Sequence, residues 1–276
     1  MLSLDSMQKI VPPMVMGILN VTPDSFSDGG QFLNRDAAIW RVRQMIDEGA
    51  DIIDVGGEST RPGADPVPPA LELDRVIPVI ETIRSLSDIV ISVDTSTPEV
   101  MTAAVAAGAN LINDVRALRR EGALAAAAET GASVCLMHMK GDPKTMQLDP
   151  HYDDLFGEVT AFFRERMAAC AEAGIPQENI LLDPGFGFGK TPEHNLQLIN
   201  RLDEFACLDA PLLIGLSRKS TLGKVLGSDT EDRLIASVTG AVAAYQKGAS
   251  VLRVHDVKET VQALRTIRCL MTESLI

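Results

Sequence analysis

Cysteine, aromatic residues and positive charge are all scarce in this 276-residue sequence, and long apolar runs are absent. The cysteines lie far apart, and no two of them form a C-x-x-C pair. Neither a disulfide framework nor a cysteine-rich zinc site is therefore indicated. We expect the cysteines to be reduced residues that pack in apolar or helical surroundings; they are Cys135, Cys170, Cys207 and Cys269.

The shortage of basic residues, 25 against 38 acidic ones, gives a formal net charge of −13. This charge argues against broad electrostatic binding to nucleic acid or to an anionic membrane surface, so any anion site must be built locally. Residues 1–8 have neither a basic start nor a long apolar run. We therefore expect no signal peptide, no membrane span and a cytoplasmic location.

The composition, 46% hydrophobic and 23% charged, is typical of a globular protein with a large core. No stretch has the composition of a linker, so a single domain over residues 1–276 is expected. Eight short apolar runs are separated by helical patterns, as is typical of parallel strands buried on both faces. We predict a (β/α)₈ TIM barrel. A doubly wound open sheet is the alternative, because periodicity alone cannot close a sheet.

Turn signals support this repeat. A Gly-Ala step lies between a helical pattern and an apolar run at 49–50, 108–109, 131–132 and 248–249, where glycine is expected to end the helix. Thr97 and Pro98 are predicted to begin one helix, as are Thr191 and Pro192. Asp256 and Glu259 have the spacing of a capping box for the last helix.

Polar residues follow the apolar runs, and in a barrel they would meet at the C-terminal ends of the strands, where such enzymes work. Acceptor and amide groups there suit a flat, nitrogen-rich heterocycle, while cationic groups, with Arg61 from the second loop, suit phosphate. The sequence thus predicts a site for a heterocycle and a phosphate together. The strand-end residues are Asn20, Asp54, Asp94, Asn113, Met137 with His138, Asp183, Lys219, and Arg253 with His255.

Two glycine-rich motifs do not meet the requirements of nucleotide-binding loops. The run from Gly185 to Gly189 lacks the last glycine of a dinucleotide fingerprint, and Pro184 occupies the first glycine position of a P-loop ending in Lys190 and Thr191. The glycines are better explained by close approach of backbone to a flat ligand. The histidines are not spaced as a metal site, but Mg²⁺ shared with substrate phosphates would need only one or two protein oxygens, such as that of Asn20.

Together these motifs closely resemble the dihydropteroate synthase family, over residues 17–256. The segments that carry the resemblance are 17–29 (GILNVTPDSFSDG), 54–63 (DVGGESTRPG), 92–95 (SVDT), 112–115 (INDV), 183–190 (DPGFGFGK), 215–220 (GLSRKS) and 253–256 (RVHD). The resemblance implies a transferase that joins 4-aminobenzoate to (7,8-dihydropterin-6-yl)methyl diphosphate, with Mg²⁺ present. It also implies a homodimer and a target for sulfonamide mimics of aminobenzoate.

The resemblance assigns roles to individual positions, with Lys219, Asp94 and Arg253 as the catalytic group. Asp54 supports the pterin or the first loop, and Asn20 contacts the metal. The pterin is bound by Asp94, Asn113, Met137, Asp183, Gly187, Phe188, Lys219 and Arg253. The diphosphate is bound by Asn20, Arg61, Arg253 and His255, and the aminobenzoate by Phe26, Thr60, Pro62, Lys219 and Ser220.

Two other functions remain as alternatives. A methyltetrahydrofolate-dependent corrinoid methyltransferase would share the strand-end acids but would not need Asn20, the 217–220 turn or the pair Arg253 and His255. A non-catalytic paralogue that binds a pterin or a partner protein should have lost Lys219 or the first two loops, and this sequence retains them.

Overall fold

Eight parallel strands close into a barrel in the computed structural model, which describes residues 13–21, 31–58, 67–141, 146, 149–227 and 232–275. Each strand pairs with the next one in the chain, and β1 pairs with β8. The (β/α)₈ prediction is confirmed, and the open-sheet alternative is wrong. The strands are β1 (Met14–Asn20), β2 (Ile52–Gly56), β3 (Val90–Asp94), β4 (Leu111–Asp114), β5 (Ser133–Met137), β6 (Ile180–Asp183), β7 (Leu212–Ile214) and β8 (Ala249–Val254).

Helices follow every strand, and two of them follow β7. Short 3₁₀ helices at Gln177–Asn179 and Leu202–Leu208 precede β6 and β7. The α-helices are α1 (Gln31–Asp47), α2 (Pro69–Leu86), α3 (Pro98–Ala106), α4 (Ala123–Thr130), α5 (Leu155–Glu172), α6 (Pro192–Asn200), α7 (Ser220–Val225), α8 (Leu234–Gln246) and α9 (Val257–Thr272).

The barrel interior is an apolar layer topped by polar residues. Side chains alternate between the two faces of a strand, so the residue two positions beyond an inward apolar residue also faces inward. On β2 this places Asp54 above Ile52, and on β8 it places Arg253 above Val251. The apolar layer therefore supports a polar mouth; its members are Met14, Met16, Ile52, Leu111, Cys135, Leu181, Leu213 and Val251.

Helix ends agree with the sequence signals at some positions and differ at others. The glycines of all four Gly-Ala steps have positive φ, between 65° at Gly131 and 115° at Gly108, as the predicted helix ends require. Thr191 caps α6 by accepting a hydrogen bond from the His194 amide, as predicted.

The predicted capping box at Asp256 and Glu259 is wrong. Asp256 does precede α9, but its carboxylate makes no cap and instead pairs with the Arg218 guanidinium. Thr97 also precedes α3 without capping it, because its hydroxyl donates to Glu72. In both cases a partner distant in sequence takes the capping group.

All four cysteines are free, as expected, but they do not share one environment. Cys135 and Cys170 are buried, Cys269 is half-buried and Cys207 is exposed, so the packing role expected of Cys207 is wrong. Among the described residues, no helix is both long and apolar enough to cross a membrane.

Candidate active site

Arg253 joins two of the predicted strand-end acids inside the barrel mouth. Its Nε donates a 2.6 Å hydrogen bond to Asp54 Oδ2, and its Nη2 donates a 2.7 Å hydrogen bond to Asp94 Oδ2. Asp54 is completely buried, whereas 20% of the Arg253 side chain is exposed. The guanidinium is therefore held by carboxylates from inside the barrel, and its remaining surface is exposed at the mouth.

Asp54 connects several strands through its carboxylate. It accepts a 2.6 Å hydrogen bond from Ser92 Oγ, and the Asn113 Nδ2 lies 3.5 Å from both of its oxygens. Asp54 thus supports Arg253 and Asn113 rather than facing the mouth itself. Ser92 belongs to the 92–95 segment but is not among the predicted site residues. Its position two residues before Asp94, on the same face of β3, is the sequence signal that points to it.

Burial and pairing set the charges of this group. Burial raises the pKa of Asp94 to about 7, although Arg253 opposes the effect. Burial alone would lower the pKa of Arg253, but Asp54 and Asp94 hold it above its ordinary value. Arg253 therefore stays positive at neutral pH, where Asp94 can exchange a proton.

Asp183, at the end of β6, and Lys219, after β7, both bond the loop that follows β6. Asp183 Oδ1 accepts a 2.7 Å hydrogen bond from the Gly185 amide, and Lys219 Nζ donates a 2.5 Å hydrogen bond to the Phe186 carbonyl. Lys219 Nζ also lies 4.4 Å from the centre of the Phe188 ring. Burial lowers the pKa of Lys219 to about 8 against the opposing effect of Asp183.

An apolar wall borders these polar groups. The Phe188 ring is half-buried and packs against Met137, Val115, Met139 and Met146. Gly187 has φ +83°, and a Cβ there would lie 3.0 Å from Lys219 Cδ. A side chain at position 187 would displace Lys219, so glycine keeps the wall flat beside the lysine.

Asn20 and His255 lie on other sides of the mouth. A Cβ at Gly56 would lie 3.7 Å from Asn20 Oδ1 and 3.8 Å from Asp94 Oδ2, which places both oxygens around the same glycine. His255 is half-buried, and its Nδ1 lies 3.0 Å from Ser217 Oγ. The predicted metal contact thus lies on the same side of the mouth as Asp94, around Gly56.

Some predicted site residues cannot be placed, and one strand-end residue points elsewhere. Ser220 is exposed at the first position of α7, next to Lys219. The His138 ring packs at 4.9 Å from the Phe162 ring of α5, so His138 lies outside the mouth. Phe26, Thr60, Arg61 and Pro62 lie outside the described residues.

The donor set fits a weakly held Mg²⁺ and no dedicated metal cage. Within the described ranges, no group of three or more His, Cys, Asp or Glu residues could hold a metal ion. The amide oxygen of Asn20, close to Asp94, is a hard ligand of the kind Mg²⁺ accepts when phosphate and water complete its coordination.

Sequence comparisons match almost the whole barrel. A family model described as pterin binding enzyme matches residues 16–255. The dihydropteroate synthase of Escherichia coli K12 is 55% identical over 260 residues, which cover 94% of this chain and 92% of that protein. The dihydropteroate synthase of Haemophilus influenzae is 51% identical over 253 residues, which cover 92% of each chain.

Solved structures superpose over the same extent. A Yersinia pestis dihydropteroate synthase in complex with a sulfonamide drug has a TM-score of 0.90 and 52% identity, covering 94% of each chain. A Xanthomonas albilineans dihydropteroate synthase in complex with 7,8-dihydropteroate has a TM-score of 0.85 and 47% identity, also covering 94% of each chain. The similarity therefore includes every strand end that forms the mouth.

Proposed function

The chain belongs to the family of pterin-binding enzymes, and we propose that it catalyses the dihydropteroate synthase reaction within that family. In this reaction, 4-aminobenzoate displaces diphosphate from (7,8-dihydropterin-6-yl)methyl diphosphate to give 7,8-dihydropteroate. A C–N bond replaces the C–O bond at the methylene carbon, and the amine nitrogen loses one proton.

The observation that carries this proposal is the division of one barrel mouth into acceptors and cations. Asp94, Asn113 and Asp183 are each nearly buried and offer the carboxylate and amide groups that suit the N–H edge of a pterin. Lys219 and Arg253 bring positive charge to the same space. This combination suits a substrate that carries both a pterin and a diphosphate.

The pterin would lie between the apolar wall and the Arg253 guanidinium. Asp183 and Asn113 bind its polar edge, Asp94 and Lys219 complete its hydrogen bonds, and Arg253 stacks on its face. Burial raises the pKa of Asp183, and Lys219 opposes this effect, so the lysine favours the carboxylate form that accepts N–H donors. Of the residues at the wall, those assigned to the pterin are Met137, Gly187 and Phe188.

The diphosphate and the aminobenzoate would lie on opposite sides of the methylene carbon. Asn20, Arg61, Arg253 and His255 bind the diphosphate, because cationic and amide donors stabilise the negative charge that develops on the departing oxygen. Phe26, Thr60, Pro62, Lys219 and Ser220 form the aminobenzoate site.

We propose a largely dissociative displacement. The electron-rich pterin delocalises the positive charge left on the methylene carbon when the C–O bond breaks, so no protein nucleophile is required. Deuterium at that methylene should give a large normal secondary isotope effect on the chemical step. An effect near unity would contradict dissociation ahead of amine attack.

Mg²⁺ is the proposed cofactor, with Asn20 as its protein ligand. When bound, the ion would neutralise charge on the departing diphosphate. Removal of divalent ions by EDTA should abolish turnover, and Mg²⁺ should restore it. Full activity in EDTA would contradict this role.

The function is tested by diphosphate release from the purified protein, measured with and without 4-aminobenzoate. We expect release that depends on aminobenzoate. A protein that binds the pterin but releases no diphosphate would be a non-catalytic paralogue, and methyl transfer from methyltetrahydrofolate would instead support the corrinoid methyltransferase alternative.

We also propose a homodimer formed by the face of α6, α7 and α8. These adjacent helices carry exposed apolar side chains, Leu196 on α6, Val225 on α7 and Ile235 on α8, and Ile235 is 74% exposed. Exposed apolar side chains on adjacent helices suit contact with a second copy of the chain. Ile235→Asp should give a monomer in analytical ultracentrifugation, whereas Leu270→Asp on α9 should leave the dimer intact.

A further inference from the structure

Lys190 is a buried lysine to which the proposed mechanism gives no role. It is 2% exposed, and it ends the segment 183–190 that provides one side of the mouth. Its Nζ lies 2.9 Å from His138 Nδ1 and donates a 3.0 Å hydrogen bond to the Phe188 carbonyl. A buried cation needs such partners, because burial without them would strongly favour the neutral form.

Two lysines hold this loop by two of its carbonyl groups. Lys219 binds the Phe186 carbonyl, and Lys190 binds the Phe188 carbonyl. Gly187 lies between these carbonyls, and its amide donates a 2.7 Å hydrogen bond to Asn195 Oδ1. The conformation of the loop therefore depends on both lysine side chains, one bound to the Phe186 carbonyl and the other to the Phe188 carbonyl.

Asp183 interacts electrostatically with both lysines. Burial lowers the pKa of Lys190 to about 7 and that of Lys219 to about 8, and Asp183 opposes both shifts. Burial raises the pKa of Asp183, and the two lysines oppose that shift. Burial, reinforced by Lys190, lowers the pKa of His138 to about 2, so the imidazole is neutral and can accept a hydrogen bond from the ammonium group. Tyr152, whose ring centre is 5.9 Å from Lys190 Nζ, also faces this group.

We propose that Lys190 is a positioning residue for the pterin: it fixes the loop 185–189 through the Phe188 carbonyl and, together with Lys219, places an amino group on the side of the mouth that holds Asp183. This inference rests on the proposed function, since it assigns Asp183 and Phe188 to the pterin. It also gives the Gly-Lys-Thr sequence at 189–191 a role other than nucleotide binding.

The test compares Lys190→Met, which removes the charge and the donor, with Lys190→Gln, which removes the charge but retains a donor. Lys140→Met is the matched control, because Lys140 also contacts the Tyr152 ring but pairs with Glu158 at the surface. For Lys190→Met we expect KM for the pterin diphosphate to rise roughly tenfold or more, with KM for 4-aminobenzoate nearly unchanged. Lys190→Gln should lie between Lys190→Met and wild type, and Lys140→Met should match wild type.

A second readout is the pH dependence of binding of 6-hydroxymethyl-7,8-dihydropterin, measured by calorimetry. Without Lys190, the pKa of Asp183 should rise, so binding should be lost at a higher pH than in wild type when the solution is acidified. Because this ligand does not react, binding tests Lys190 even if wild-type protein makes no dihydropteroate. Folded Lys190→Met protein with an unchanged pterin KM and an unchanged pH profile would overturn the proposal.

Circular dichroism and thermal unfolding establish whether each variant folds. If neither Lys190 variant folds, the ¹⁵N signal of the Lys190 ammonium group in wild-type protein decides the question. Addition of the pterin alcohol should shift that signal, because a ligand on Asp183 changes the charge that Lys190 faces. A signal that does not shift on saturation would also overturn the proposal.

Discussion

Arg253 and Asp54, on β8 and β2, meet through a 2.6 Å hydrogen bond from Nε to Oδ2, and Asp54 has no solvent exposure. The same carboxylate accepts a hydrogen bond from Ser92 and lies close to Asn113. A buried charge with one partner removed is strongly destabilising, so this pair fixes the guanidinium in a single place. The proposed pterin stacking by Arg253 depends on that fixed position.

Asp54→Asn should therefore lower kcat/KM by roughly a hundredfold, since a small displacement of a positioned group is enough for such a loss. We expect the free energy of unfolding to fall by about 1–3 kcal/mol, because Arg253 retains Asp94 as a partner. Asp114→Asn is the control: Asp114 is equally buried but bonds Ser96 and the amides of Arg116 and Leu118. The Asp114→Asn variant should lose stability without a comparable loss of turnover. Urea unfolding measures the stability and steady-state kinetics measure the turnover. Equal losses of activity in the two variants would argue against a specific role of Asp54.

Lys219→Ala should abolish measurable turnover while the thermal unfolding midpoint changes little. The lysine is half-buried and contacts the loop by a carbonyl, so its loss removes charge from the mouth without opening the core. Lys224→Ala, at an exposed position of α7, the helix that Lys219 precedes, should retain wild-type activity. Unimpaired turnover of the Lys219 variant would remove that lysine from the site.

The pH dependence of kcat/KM should show an alkaline limb that reflects Lys219 in the free enzyme. Burial lowers the pKa of this lysine to about 8, so its positive charge is lost as the pH rises through that value, and activity falls with it. Asp183→Asn should move the limb to lower pH, because the Asp183 charge raises the pKa of Lys219. A constant kcat/KM up to pH 9.5 in wild type would exclude a required ammonium group.

Gly185→Ala should destabilise the fold by about 3 kcal/mol or more, because of positive φ combined with a clash. Gly185 has φ +71°, and a Cβ there would lie 1.9 Å from the His138 carbonyl oxygen. Gly131 has a similar φ of +65°, but a Cβ there would meet nothing within 4 Å. Gly131→Ala should therefore cost only about 1 kcal/mol. Equal losses in urea unfolding would show that the close approach to His138 is unimportant.

The strand–helix repeat and most of the polar mouth could be predicted from the sequence because both depend on local patterns. Apolar runs and helical stretches identify the strands, and the two-residue period of a strand then identifies which polar residues face inward. Asp94, Asn113, Asp183 and Arg253 follow from that rule. Closure of the sheet cannot be predicted from that rule, because the pairing of β1 with β8 joins residues at opposite ends of the chain.

Pairings between strand ends could not be predicted. The contact of Arg253 with Asp54 spans 199 residues, and no local pattern distinguishes it from a contact with Asp183. Similarly, Arg218 captures the carboxylate of Asp256 that was expected to cap α9. The sequence around Lys190 resembles only the end of a P-loop, since the burial of this lysine against His138 depends on a contact between residues 52 positions apart in the chain.

The central claim is tested most directly by the identity of the product. The protein is incubated with Mg²⁺, (7,8-dihydropterin-6-yl)methyl diphosphate and ¹⁵N-amino-labelled 4-aminobenzoate. The products are separated by chromatography, and their masses are measured by mass spectrometry. The account predicts 7,8-dihydropteroate that retains the ¹⁵N label, formed by wild-type protein and not by Lys219→Ala. Failure of folded wild-type protein to form the labelled product would contradict it.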